Sequence, residues 1–133
     1  MIYFLDTNIC AFTINGKFQH LTERFLNCQN NDINLSSVVL YELLYGAEKS
    51  QRRESNLLKI QTFISEIKIV PLDSKTAAIA SKIRADLERI GTPIGGYDLL
   101  IAATAIANDS ILVTNNTKEF ARVTGLVIED WTV

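Results

Sequence analysis

Short apolar runs alternate with longer stretches of helical periodicity through the whole chain. Ile2-Tyr3-Phe4-Leu5 reads as a buried strand, and Asp6-Thr7-Asn8 supplies helix-cap residue types ahead of Ile9-Cys10-Ala11-Phe12. Phe18, Leu21, Phe25 and Leu26 recur at helical spacing, predicting a helix over 18–27 that ends in the polar Gln29-Asn30-Asn31-Asp32. Ile33-Asn34-Leu35 is a second strand, and Ser36-Ser37 caps the helix that follows. Leu57, Ile60, Ile64 and Ile67 predict one amphipathic helix, and Ala80, Ile83, Leu87 and Ile90 another. Between them Ile67 to Leu72 alternates until Pro71 stops it, as in a sheet-edge strand. Gly91 to Gly96 is a loop by composition and leads into a helix apolar on nearly all sides. Ile111-Leu112-Val113-Thr114 and Leu126-Val127-Ile128 complete the strands, with a short helix around Lys118-Glu119-Phe120 between them.

Strands separated by helices predict an α/β fold of three layers, α/β/α, with a central, mainly parallel sheet of four to five strands. Ligands of such sheets bind outside the carboxyl ends of the strands, where the winding direction switches. Asp6 and Asn115-Asn116 both follow strands, so both are expected at that edge.

Three acids interrupt this apolar pattern. Asp6 closes the first strand, Glu42 lies within Val38-Val39-Leu40-Tyr41-Glu42-Leu43-Leu44, and Asp98 opens Leu99-Leu100-Ile101-Ala102-Ala103. An unpaired buried carboxylate costs several kcal/mol, so each needs a reason. Asp6 could cap the next helix, but Thr7 can do that equally well. A capping box does not explain Glu42: its acid position falls on Leu40 if Ser37 caps, and on Val39 if Ser36 does. Asp98 in a first turn is favoured by the helix dipole, by about 0.3–1 kcal/mol. Clustering the three would be expensive, since two carboxylates about 5 Å apart repel by roughly 3 kcal/mol at an effective dielectric of 20. A divalent cation removes that cost. Oxygen ligands without nearby histidine or cysteine select a hard ion, Mg²⁺ with Mn²⁺ as substitute, rather than zinc.

Composition narrows the chemistry further. The 133 residues, 47% hydrophobic, suit one domain over 1–133, with no linker, low-complexity tract or repeat. The apolar start has no basic region before it and no stretch is long enough to span a membrane, which implies a cytoplasmic protein. Cys10 and Cys28 are isolated and His20 is the single histidine, which excludes a zinc-finger pattern, argues against a disulfide framework and leaves a histidine-based triad little to rest on. His20 reads as a solvated helix-face residue. With 13 basic and 15 acidic residues the chain is no basic-stripe nucleic-acid binder, although a metal cluster supplies local positive charge. A phosphatase with a strand-end aspartate nucleophile would need D-x-D, and the chain has Asp6-Thr7-Asn8. The other alternative is a non-catalytic α/β module binding RNA or a protein partner around a structural cation.

The motifs I-Y-F-L-D-T-N, S-V-V-L-Y-E-L-L-Y-G-A, P-I-G-G-Y-D-L-L-I-A-A-T-A and I-L-V-T-N-N-T-K-E-F, in this order and spacing, resemble the PIN-domain nucleases, most closely the VapC toxins of bacterial toxin–antitoxin pairs. The likeness runs from the first strand to the final E-D-W. It implies a single PIN-like nuclease domain that hydrolyses RNA with Mg²⁺ held by acids at the strand ends. The first three acid positions correspond to Asp6, Glu42 and Asp98; at the fourth this chain has Asn116, with Glu119 three residues on. Asn116 offers a carbonyl oxygen but no charge, which leaves one cation or two open. Thr7 and Thr114 match the hydroxyl residues that orient those carboxylates. Basic residues available to an RNA backbone are Lys49, Arg52 and Arg53 beyond the Glu42 helix, and Lys118 and Arg122 beside the fourth motif. The resemblance further implies a homodimer, held inactive by a VapB-like antitoxin lying in the active-site groove. Several enteric-type relatives cut initiator tRNA in the anticodon stem-loop, so tRNA enters as a candidate substrate.

Overall fold

The computed structural model describes residues 1–29 and 31–133. Asn30, within the polar run expected to end the second helix, lies outside the described residues. Five strands form one sheet among the described residues: β1 (Tyr3–Leu5), β2 (Ile33–Ser36), β3 (Lys68–Val70), β4 (Ile111–Val113) and β5 (Val127–Glu129). Their order is β3-β2-β1-β4-β5 and every pairing is parallel. The helices are α1 (Thr7–Asn15), α2 (Gln19–Asn27), α3 (Ser37–Glu48), α4 (Arg53–Ile64), α5 (Ser74–Arg89), α6 (Gly96–Ala107) and α7 (Thr117–Phe120).

Right-handed crossovers dictate the layers. Running β1 to β2 to β3 in one direction puts α1 to α4 on one face. The return from β3 to β4 passes β2 and β1 and carries α5 and α6 over the other face, where they pack on each other. The winding therefore reverses beside β1, between its neighbours β2 and β4, and the crevice at the carboxyl ends there is the expected ligand position.

Central strands with both faces covered are mostly apolar: Phe4, Leu5, Leu35, Leu112 and Val113 are fully buried, in register Phe4 with Leu112 and Leu5 with Val113, and the polar exceptions are Asn34 and Ser36 of β2. The edges are wetter, with Lys68 exposed on β3 and Val127 exposed on β5. Several boundaries shift by a few residues from the periodicity, and two of them have a visible cause. The helix expected to reach Ile67 ends at Ile64, because Ser65 and Glu66 turn out to solvent and Ile67 N–H donates to the Ile64 carbonyl in the turn leading to β3. The last strand sits one residue later than its apolar run, since Leu126 is still closing a turn on Val123.

The tail beyond β5 is anchored by Trp131. Its ring is fully buried against Tyr3 at 4.9 Å, Arg24 lies over it at 4.7 Å, and its Nε1–H donates to Glu129 Oε1 at 2.9 Å. Glu129 also takes Arg24 Nη2 at 3.0 Å. That tie links β5 to α2.

Candidate functional site

Asp6 leaves β1 at the switch point. Its backbone N–H still pairs with the Val113 carbonyl across to β4, while its carbonyl already accepts from Cys10 N–H in α1. The residue is thus locked between sheet and helix, and it is 5% exposed. Its Oδ1 accepts the Ile9 N–H at 2.9 Å, so Asp6 is itself the cap of α1. The expectation that Thr7 could take the cap is corrected: at N1 the Thr7 hydroxyl points away from the first-turn amides and donates instead to Glu42 Oε1 at 2.6 Å.

Glu42 lies in the middle of α3, whose cap is Ser36, with Oγ accepting from Val39 N–H at 3.1 Å. No capping role is therefore left for Glu42. It is half-buried, one side toward Thr7 at the start of α1. Asp98 stands in the first turn of α6, half-buried, after the loop that ends at Gly95. α3 and α6 pack at this edge, which brings Glu42 and Asp98 to the mouth of the crevice from opposite faces of the sheet.

The fourth motif follows β4. Thr114 is fully buried, and its Oγ1 accepts the Asn116 N–H at 2.9 Å, bending the chain into α7. Asn116 Nδ2 donates to Glu119 Oε2 at 3.2 Å. Asn116 therefore holds Glu119 by its amide and has only its carbonyl oxygen left to offer. Glu119 lies close enough to Asp98 to raise its pKa.

The electrostatics all run one way. Burial pushes the Asp6 carboxyl from 3.8 up to about 6, against the lowering effect of hydrogen bonds from Thr114 and Ile9, and the charges of Asp98 and Glu42 add to the rise. Asp98 is also raised, first by burial, then by Glu42 and Glu119. Among the described residues no cation forms an ion pair with any of these four acids. Nor do three of them converge on one point; Asp6, Glu42 and Glu119 each give an oxygen to a neighbouring donor. Four carboxylates gathered at one sheet edge with no positive partner form a donor set that fits a hard divalent cation.

The basic residues are placed less uniformly. Lys49 ends α3 with its Nζ 4.8 Å from the Tyr45 ring centre, and Arg52 and Lys118 are exposed. Arg53 is engaged by Glu48 at 2.6 Å, and Arg122 Nη1 donates to the Pro93 carbonyl at 3.0 Å. Arg122 thereby pins the loop in front of Asp98. His20 is exposed on α2. Sequence reasoning passed over three exposed tyrosines next to the acids: Tyr41 and Tyr97 share a hydroxyl–hydroxyl contact of 3.3 Å, and Tyr45 lies one helical turn from Tyr41. The i, i+4 pair on α3 was visible as a spacing; Tyr97 joins it only through the meeting of α3 with α6.

A groove of about 270 Å³ leaves the acids along α1, α3 and α4, lined by Thr7 and Glu42 at one end and by Ile14, Leu43, Ala47 and Ile60 further along. No helix among the described residues is long and apolar enough to cross a membrane.

Comparison with known proteins gives one consistent picture. Residues 3–126 match the family model of the PIN domain. The chain is 46% identical over 129 residues to the tRNA(fMet)-specific endonuclease VapC of Salmonella typhimurium, covering 97% of each chain. It is 49% identical over 129 residues to the protein of the same name from Shigella flexneri, again covering 97% of each. Its fold is similar to that of VapBC2 from Rickettsia felis, solved bound to a DNA fragment from their promoter, with a TM-score of 0.92, 43% identity and coverage of 98% of this chain and 99% of that one.

Proposed function

Because the chain belongs to the PIN-domain family, and within it to the VapC ribonucleases, we propose that it is a Mg²⁺-dependent endoribonuclease whose site is built from Asp6, Glu42, Asp98 and Glu119. It is the toxin half of a toxin–antitoxin pair, and a VapB-like antitoxin is its partner. The observation that carries the site assignment is the set of four acids at the switch point with no ion-pair partner among the described residues, two of them, Asp6 and Asp98, raised in pKa by burial.

PIN-domain nucleases depend on a divalent metal, and here Asp6, Asp98 and Glu42 would hold it. When bound, the ion supplies Lewis-acid activation of water and neutralises charge developing on the scissile phosphate. The chain's own residues fix the geometry. Ile9 N–H holds Asp6 Oδ1, and the nearby Thr114 hydroxyl favours its charged form, which together orient the carboxylate. Thr7 fixes Glu42 across the crevice, and Asn116 steers Glu119 toward the same edge. No histidine or protein nucleophile is required by this chemistry, consistent with the lone exposed His20.

The substrate reading follows the relatives' names: structured RNA, with initiator tRNA the first to test. Lys49, Arg52 and Lys118 are the exposed cations free to meet its backbone, and the groove along α1, α3 and α4 is the place for an antitoxin segment. A homodimer suits the same family.

The test incubates the purified chain with total tRNA and other structured RNA, in Mg²⁺ or in chelator, beside Asp6→Asn and Asp98→Asn. Cleavage is expected only for the unaltered chain in Mg²⁺. Cleavage that persisted in chelator, or in both variants, would overturn the assignment.

A further inference from the structure

Tyr41, Tyr45 and Tyr97 are each about half exposed, at 50%, 54% and 50%. Large aromatic rings normally go to the core, where each would bury on the order of 150–250 Å². These three pack on one another instead. The rings of Tyr97 and Tyr41 lie 5.5 Å apart at 59°, those of Tyr41 and Tyr45 lie 6.4 Å apart and nearly parallel at 16°, and Lys49 continues the row over the outer face of Tyr45. The order along the surface is Tyr97, Tyr41, Tyr45, Lys49.

The row begins at the acids. Tyr97 directly precedes Asp98 on α6 and Tyr41 directly precedes Glu42 on α3, so one end is tied to the two helices that deliver the site's carboxylates. Polynucleotide entering that acid edge meets negative charge and gains little from its own phosphates there. Its favourable contacts must come from the bases, and from cations set back from the acids. A line of aromatic faces ending in Lys49, with Arg52 exposed just beyond, has that composition. The row holds no aliphatic side chain, which suits a base and its phosphate better than an apolar protein face.

We propose that Tyr97, Tyr41 and Tyr45 form a stacking platform on which unpaired bases of the RNA substrate lie as the strand leaves the acidic site toward Lys49. This rests on the ribonuclease reading and adds to it a preference: the cleaved bond lies beside nucleotides that are single-stranded or can unstack. Sequence discrimination by the platform is weak, because every base has a π-face.

The experiment uses the full chain and a short RNA carrying 2-aminopurine, whose fluorescence is quenched on stacking. Binding is measured in chelator, where cleavage is stopped. Tyr45→Ala is expected to weaken binding roughly five- to a hundredfold and to relieve the quenching. In Mg²⁺ the same variant should raise KM and leave kcat near that of the unaltered chain, since the ring sits away from the reacting bond. Tyr45→Phe should behave as the unaltered chain, because stacking uses the ring and not the hydroxyl. Tyr97→Ala gives an independent second position, and circular dichroism checks that both variants fold. Unchanged affinity and quenching in both alanine variants would overturn the platform, including the case in which they lose a protein partner instead. Absence of cleavage by the unaltered chain in Mg²⁺ would count against the ribonuclease reading, while the binding arm would still judge the platform.

Discussion

Two aspartates in this molecule make the same hydrogen bond and have opposite electrostatics. Asp6 caps α1 through Oδ1 to Ile9 N–H at 2.9 Å, and Asp73 caps α5 through Oδ1 to Thr76 N–H at 2.9 Å. Asp73 is exposed, its backbone and hydroxyl donors from Thr76 dominate, and its pKa is lowered. Asp6 is buried beside Asp98 and Glu42, and its pKa is raised to about 6. A cap explains where each carboxylate points but not why one of them stands buried among its own kind. The cost carried at the β1–α1 junction is absent from the β3–α5 junction, and that difference is what the proposed site has to explain.

The largest effect should separate the two in activity. Asp6→Asn keeps a side chain able to cap and removes the charge, so RNA cleavage should fall by roughly a hundredfold or more, given the several kcal/mol a metal ion supplies. Asp73→Asn should stay within about twofold, on the ordinary neutrality of a surface change away from the chemistry. Comparable losses in the two variants would dissolve the distinction.

Stability against pH should separate them by sign. The folded pKa of Asp6 lies above its ordinary value, so its contribution is fully present below pH 3.8 and is lost as pH rises through about 6. In chelator at pH 7, Asp6→Asn should therefore be more stable than the unaltered chain by roughly 3 kcal/mol, a shift of about two units at 1.36 kcal/mol each. The gap should close as the pH approaches 4. Asp73 has the opposite sign: its contribution is present above its ordinary value and lost as pH falls through the lowered folded value, so Asp73→Asn should be the less stable protein at neutral pH. Urea titrations of the three proteins from below pH 3 to pH 8 measure both slopes, the Asp6 slope above pH 3.8 and the Asp73 slope below it.

These contrasts also show what could be read from the chain. A glutamate inside α3 that no capping box explains was legible, because the box is a local rule and Ser36 does hold the cap. The strand-end position of Asp6 was legible for the same reason. What Thr7 does was not: its partner Glu42 is 35 residues away, and nothing in Asp6-Thr7-Asn8 distinguishes a threonine that caps from one that reaches across a crevice. The strand order that makes β1 the switch point, and the crossing of α3 with α6 that gathers Glu42, Asp98 and the tyrosines, depend on long-range packing. Arg53 and Arg122 looked like candidates for phosphate, and their local partners Glu48 and the Pro93 carbonyl appear only in the folded chain.

Smaller effects probe the supports around Asp6 that Asp73 lacks. Thr7→Val deletes the hydroxyl that holds Glu42 and should lower cleavage about ten- to a hundredfold, the usual range for a residue that orients a metal-site carboxylate. Thr7→Ser should restore most of it; a valine variant as active as the unaltered chain would show that Glu42 needs no support. At the fourth position Glu119→Ala should cost more than Asn116→Ala, because Asn116 acts by holding Glu119 through its amide. Full activity of Glu119→Ala would refute that order.

The most direct measurement is the melting temperature at pH 7 as Mg²⁺ is titrated into four proteins: the unaltered chain, Asp6→Asn, Asp98→Asn and Asp73→Asn. A cation that binds the folded site raises the melting temperature with its concentration. The expected result is a rise in the unaltered chain and in Asp73→Asn, with little or none in Asp6→Asn and Asp98→Asn. An equal rise in all four, or in none, would contradict a cation site at the end of β1.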